Sequence, residues 1–215
     1  MFKTIARWLM PALLAVTLAP AAALSADAPD GAANKEDLAP FVVLDRKSTH
    51  KKGQVNVTVY FDFYCSHCHE FDNKVWPVLV KEHGDTLHVT WVGMPIVDPA
   101  ASPVTVLAFY LADAQGKGEE MRNALFSAIW NHRLDPSKPD VLLGIATQLG
   151  LDLNRFKREF NENVMVERME DGIKQARAIG ARGTPTVLLD NHIRVTGYGI
   201  KNVEAAIAEA LKADG

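Results

Sequence analysis

The sequence predicts an α/β fold in which a small sheet is interrupted by a long run of helices. Three observations predict it. Val55, Val57, Val59 and Phe61 alternate with Asn56, Thr58 and Tyr60, and this stretch runs almost directly into Cys65-Ser66-His67-Cys68. From Ser102 to Gly180 the apolar residues keep helical spacing only. Two short β-rich stretches, Thr186 to Leu189 and Ile193 to Thr196, then precede a last amphipathic segment.

Taken in order, the chain of 215 residues begins with Lys3 and Arg7, an apolar run from Trp8 to Leu18, Pro20, and small residues through Ser25-Ala26. A basic start, an apolar core and a small-residue cleavage site describe a secretory signal peptide over residues 1–26, cut after Ala26 or Ala23. The run is broken by Pro11 and is shorter than the roughly 20 apolar residues of a membrane span; an uncleaved anchor is the alternative. Residues 27–40, rich in Ala, Asp, Pro and Gly, read as a flexible lead-in. Without the leader, 189 residues remain with 21 basic against 26 acidic side chains, a net charge of −5. That balance gives no basic surface for nucleic acid. The length suits one domain carrying one insertion.

Period-two alternation of β-branched and aromatic residues makes 55–61 a strand. Phe71, Val75, Val78 and Leu79 predict a helix over 66–83, with a kink at Pro77. Leu87 to Val92 predicts a second strand. Helices are predicted at Val104 to Ala112, Met121 to Trp130, Val141 to Leu149, Phe156 to Phe160 and Val164 to Ile179, the last capped by Gly180. Asp190-Asn191 marks a turn between the two closing strands, and Val203 to Leu211 a closing helix. The partition is 41–98 and 181–213 for the sheet domain and 99–180 for a helical insertion. A CxxC beside such a βαβ pattern reads as a thioredoxin-like redox motif. The fold is therefore α/β, thioredoxin-like, with a helical domain inserted between the second and third core strands.

The chain has only two cysteines. A bridge between residues this close closes almost no loop and adds little stability, so reactivity explains the pair better. Cys65, at a helix N-terminus, faces free backbone N–H groups and the positive end of the helix dipole, both of which favour a thiolate. His67, inside the motif, offers a further donor or positive charge. Such surroundings lower a cysteine pKa from about 8.5 to as little as ~3.5. Stabilising the reduced form makes the disulfide a stronger oxidant. Cys68, one turn along, is expected to be the more buried sulfur. His50, His83, His88, His132 and His192 are assigned no role, and His69 is either exposed or at the lip of the site.

With Asp62-Phe63-Tyr64-Cys65-Ser66-His67-Cys68 and Gly183-Thr184-Pro185-Thr186, the chain resembles the DsbA family of periplasmic disulfide oxidoreductases over residues 40–212. The segment Ala124 to Trp130 is similar to the family's insertion. The resemblance implies a nucleophile at Cys65, a cis Pro185 whose Thr184 backbone meets extended substrate, and no cofactor. It also implies reduced or unfolded exported proteins as substrates, reoxidation by a membrane quinone-linked oxidase of DsbB type, a periplasmic location and a monomer. Three positions depart from the family's pattern: Ser66 stands where proline is common, and Val59 where relatives often carry a buried acid, leaving Asp62 as a weak substitute. Thr184 is more typical of isomerase and copper-tolerance relatives. An isomerase or reductase of the same fold is therefore the alternative.

Other classes compete. Cys65-Ser66-His67-Cys68-His69 is also the CxxCH of covalent haem attachment, though such sites usually sit among short helices. Cys65, His67, Cys68 and His69 are soft metal ligands, yet four residues at one helix start do not converge on a tetrahedral ion, and structural zinc draws on a second segment. No metal is expected. A chaperone that holds unfolded chains without redox turnover is the remaining reading.

Overall fold

The computed structural model describes residues 39–214; the expected leader (1–26) and nearly all of the lead-in (27–40) lie outside them. The sheet is built on β2 (Val55–Phe61), whose alternation puts Val55, Val57, Val59 and Phe61 in the main core. Tyr60 faces the opposite layer, against Leu188, Ala176 and Ile179. β3 (Leu87–Gly93) runs parallel to β2, with Val55 opposite Leu87 and Phe61 opposite Gly93. β4 (Thr186–Leu189) runs antiparallel on the other side, Val57 facing Leu189. β5 (Ile193–Val195) follows, and β1 (Phe41–Val43) pairs with it. The order is β1-β5-β4-β2-β3. The sheet thus has five strands where the sequence predicts four, because three residues are too few for β1 to display a period.

The β4–β5 turn uses Asp190 (φ 44) and Asn191 (φ 66), and the His192 N–H closes it on the Leu189 carbonyl at 3.0 Å. Two left-handed central residues match the twist of a hairpin, and Asp and Asn tolerate that conformation best after glycine.

The helix after the CxxC comes in three pieces: α1 (Ser66–Glu70), a π turn (Phe71–Val75) and α2 (Trp76–His83). Pro77 has no N–H to give the preceding turn. The irregularity therefore falls in that turn, as a π segment. Between β3 and β4 lie only helices: α3 (Ala101–Asp113), α4 (Gly118–Phe126) continued by a π turn (Ser127–Asn131), α5 (Pro139–Gln148), α6 (Leu153–Asn161) and α7 (Val166–Ala178). α7 comes close to β3 at Gly172, where an added Cβ would stand 2.6 Å from Val92 Cγ1. It ends at Gly180 (φ 70), with the Ala181 N–H donating to the Ala176 carbonyl at 2.9 Å and the Gly180 N–H to that of Arg177 at 3.0 Å. That is the paired C-terminal capping pattern glycine permits. α8 (Ile200–Leu211) covers the main core face through Val203, Ala206, Ile207 and Ala210.

His50, given no role by the sequence, ties the chain end to the sheet. Its Nδ1 lies 2.9 Å from Asp190 Oδ2 and its Nε2 2.9 Å from Asp214 Oδ1. The hydrogen bond to Asp190, then that to Asp214, raises the His50 pKa above its ordinary value. The bond from His50 in turn lowers that of Asp214. A raised imidazole pKa contributes stability that is complete below about pH 6.5 and lost as pH rises through the folded value. The melting temperature of the wild type minus that of His50→Gln is therefore expected to shrink as pH rises from about 6 into the alkaline range. A difference constant with pH would show that the imidazolium contributes nothing.

Candidate functional site

The site forms where β2 ends. Cys65 caps α1 in extended geometry (φ −85, ψ 116), and its carbonyl receives the N–H groups of Cys68 and His69, each at 3.1 Å. Strand and helix therefore fix Cys65 from both sides. Cys65 is 8% exposed and Cys68 1%, both within the main core. Both are free thiols.

Their environments push the two thiols apart. Cys65 is lowered to about 5, first by the hydrogen bond from the Cys68 thiol, against burial, and then by the Thr184 side chain and the backbone N–H groups of Cys68 and His67. Burial pushes the Cys68 thiol far upward, and the Cys65 sulfur beside it adds to the rise. A low-pKa sulfur in the less buried residue next to a high-pKa one in the more buried residue gives one sulfur suited to attack and one suited to be held in reserve.

Thr184 joins them from β4's leading loop. The Thr184–Pro185 peptide is cis, and when protonated Cys65 Sγ donates to the Thr184 carbonyl at 3.1 Å. The fold thus brings Cys65, Cys68, Thr184 and Pro185 together from segments 119 residues apart. His67 joins them differently from the sequence expectation. Its ring is exposed and packs 5.3 Å from that of Tyr198. What His67 gives Cys65 is its backbone N–H.

Asp62, the weak substitute for a buried acid, is fully engaged. Oδ1 accepts from the Tyr64 N–H and the Ser102 hydroxyl, each at 2.9 Å; Oδ2 accepts from the Ile96 and Val97 N–H groups at 2.8 and 2.9 Å. Four donors leave this carboxylate little room to carry protons for Cys68. It instead pins the loop after β3 and the start of α3 to the CxxC. Ile96 and Val97 are left about half exposed, as an apolar lip beside it. Val59 lies in the core between Trp91 and Val187 of the neighbouring strands.

Sequence reasoning missed the contacts that seat the insertion on this site. Trp130 Nε1 donates to the Phe63 carbonyl at 2.9 Å, and the Tyr64 hydroxyl to Asp135 at 3.1 Å. His69 stacks on Trp130 at 5.4 Å, which places it at the lip. Tyr198 donates to Glu70 Oε2 at 3.1 Å. Only the aromatic character of these residues was a signal, and it fits a core equally well. Among the described residues no three His, Cys, Asp or Glu side chains converge as metal ligands.

Residues 100–211 match the family described as DSBA-like thioredoxin domain. The chain is 27% identical over 168 residues to the Na(+)/H(+) antiporter NhaA of Herminiimonas arsenicoxydans, covering 76% of this chain and 26% of that protein. It thus spans about a quarter of the antiporter's length. It is 25% identical over 142 residues to the thiol:disulfide interchange protein DsbA of Pseudomonas aeruginosa, covering 66% of each. In structure it is similar to the oxidoreductase DsbA from Xylella fastidiosa, with a TM-score of 0.67 at 22% identity over 81% of this chain and 95% of that one. The likeness gives the fold: a thioredoxin-like sheet with a helical insertion.

Proposed function

The chain belongs to the DSBA-like thioredoxin domain family, and we propose that it is an exported thiol:disulfide oxidoreductase that introduces disulfides into reduced substrate proteins through Cys65 and Cys68. One observation carries the reading: Cys65 is lowered to about 5 while the thiol beside it is raised. A dithiol holding a stable thiolate favours its reduced state, so its disulfide gives itself up readily.

In the proposed sequence, a substrate thiolate attacks Sγ of Cys65 in the oxidised pair. The Cys65–Cys68 bond breaks, a substrate–Cys65 bond forms, and Cys68 leaves as a thiolate that takes up a proton. A second substrate thiolate then attacks the substrate sulfur of that mixed disulfide, and Cys65 departs as the thiolate its surroundings stabilise. The substrate loses two electrons and two protons, and the pair gains the electrons. Thr184 and Pro185 hold the substrate backbone beside Cys65. Residues 41–98 and 181–213 act as the redox domain, with 99–180 as its cover. The protein works as a periplasmic monomer, delivered by the leader, and a membrane quinone-linked oxidase of DsbB type restores its disulfide. Covalent haem attachment fits poorly, since Cys68 is packed into the core.

The test is the reduction potential of the pair, equilibrated against glutathione. A value near the roughly −120 mV of DsbA is expected. One near the roughly −270 mV of thioredoxin would make the protein a reductase supplied with electrons.

A further inference from the structure

Thr184 faces two ways. Its carbonyl lies 3.1 Å from Cys65 Sγ, and the same residue lines a cleft of about 330 Å³ between the loop ahead of β4 and the end of β5. The cleft's charged lining is Arg182 and Arg194, and no Asp or Glu is among its lining residues. This is a local reversal in a chain whose formal net charge is −3. Arg194 is fixed in place: its Nη1 donates to the carbonyls of Ile179 and Gly180, both at 2.8 Å. A guanidinium has five N–H donors, so part of its fork stays available. Arg182 is exposed, and neither arginine is ion-paired with a described residue.

An extended peptide joined to Cys65 and laid along Thr184 advances about 3.3 Å per residue. A side chain two or so residues from the reacting cysteine therefore reaches this cleft. The planar arginine fork matches a carboxylate and repels an ammonium. We propose that this cleft is a specificity subsite that selects substrates carrying an acidic side chain within a few residues of the cysteine to be oxidised. The inference rests on the oxidoreductase reading above and adds which cysteines are preferred.

The experiment uses the oxidised full chain and end-blocked peptides with one cysteine and Asp, Ala or Lys placed two residues before or after it. Rates of mixed-disulfide formation are divided by each peptide's rate with oxidised glutathione, which removes the effect of the neighbour on the peptide's own thiol. The Asp peptide is expected to outrun the Lys peptide by about fivefold or more at low salt in at least one placement. The ratio should fall at high salt, drop in Arg182→Gln and invert in Arg182→Glu. A ratio unchanged in Arg182→Glu overturns the subsite. Binding of the same peptides with Ser in place of Cys is measured alongside, by fluorescence anisotropy. Preferential Asp binding without any mixed disulfide would remove the redox reading and keep the subsite. Mixed disulfides formed at equal rates, with equal binding, would remove the subsite and keep the redox reading.

Discussion

Cys65→Ala and Cys68→Ala are each expected to abolish thiol oxidation, whereas Cys68→Ala offered oxidised glutathione stops at a Cys65–glutathione mixed disulfide, with reduced glutathione leaving, and its thiol titrates higher than in the wild type. In the wild type, thiolate absorbance should appear with a midpoint of about 5, because Cys65 is lowered to that value. The largest single cause is the bond from the Cys68 thiol, so deleting that donor leaves only Thr184 and the backbone N–H groups to oppose burial. A midpoint that stays near 5 in Cys68→Ala would mean that the helix start alone holds the thiolate. The same shift has a stability counterpart whose sign is fixed. A cysteine depressed on folding stabilises the reduced protein fully above its unfolded pKa of about 8.5, and this is lost as pH falls toward the folded value. The oxidised protein has no such thiol. The gap in stability between reduced and oxidised forms is therefore expected to narrow from pH ~8.5 downward and to lose this contribution below pH 5 or so; denaturant unfolding of both forms measures it. A gap independent of pH would sink the thiolate as the source of the proposed oxidising power.

Much of this was legible in the sequence, for a physical reason. Period-two alternation from Val55 to Phe61, the CxxC, Gly180 and the Asp190-Asn191 turn are local devices whose consequences lie within a few residues. What escaped depends on pairing across the chain. β1 is three residues held by β5, some 150 positions later. The Asp62 carboxylate finds Ile96, Val97 and Ser102 only after β3 has been laid beside β2. His67 was read through its imidazole, the visible chemistry. At the first turn of a helix, however, the backbone N–H is already aimed at the capping residue, and the ring is free to leave for Tyr198. Arg182 and Arg194 are twelve positions apart and become neighbours of one cleft only through the β4–β5 hairpin.

Arg122→Met is expected to cost about 3–5 kcal/mol of stability, and Asp72→Leu combined with it to restore most of the loss. Arg122 Nε lies 2.8 Å from Asp72 Oδ1, both side chains are buried, and the guanidinium sits 4.2 Å over the Trp91 ring. Burial pushes the Asp72 carboxyl upward, and Arg122 pulls it back by charge and hydrogen bond. Removing the arginine leaves a carboxylate in the core with nothing to compensate it; removing both leaves an apolar contact of similar volume. The single variant's loss carries its own signature. With Arg122 gone the Asp72 pKa rises further, and a group raised on folding costs stability as pH climbs through its folded value. The defect should therefore be mild in acid and grow toward neutral pH, as followed by urea unfolding of the reduced protein. Single and double variants that lose the same amount at every pH would show no coupling across the pair. The position of the pair gives that measurement meaning for the site. Asp72 belongs to the π turn just after the helix that carries Cys65 and Cys68, and Arg122 to α4 of the insertion. One turn earlier, His69 stacks on Trp130 from the end of the same helical run. The buried ion pair and the aromatic stack are thus two fastenings of the CxxC helix to the inserted helices. If the double variant regains stability but its reduction potential moves, the pair's contribution is to hold the helix in register rather than to hold the fold together.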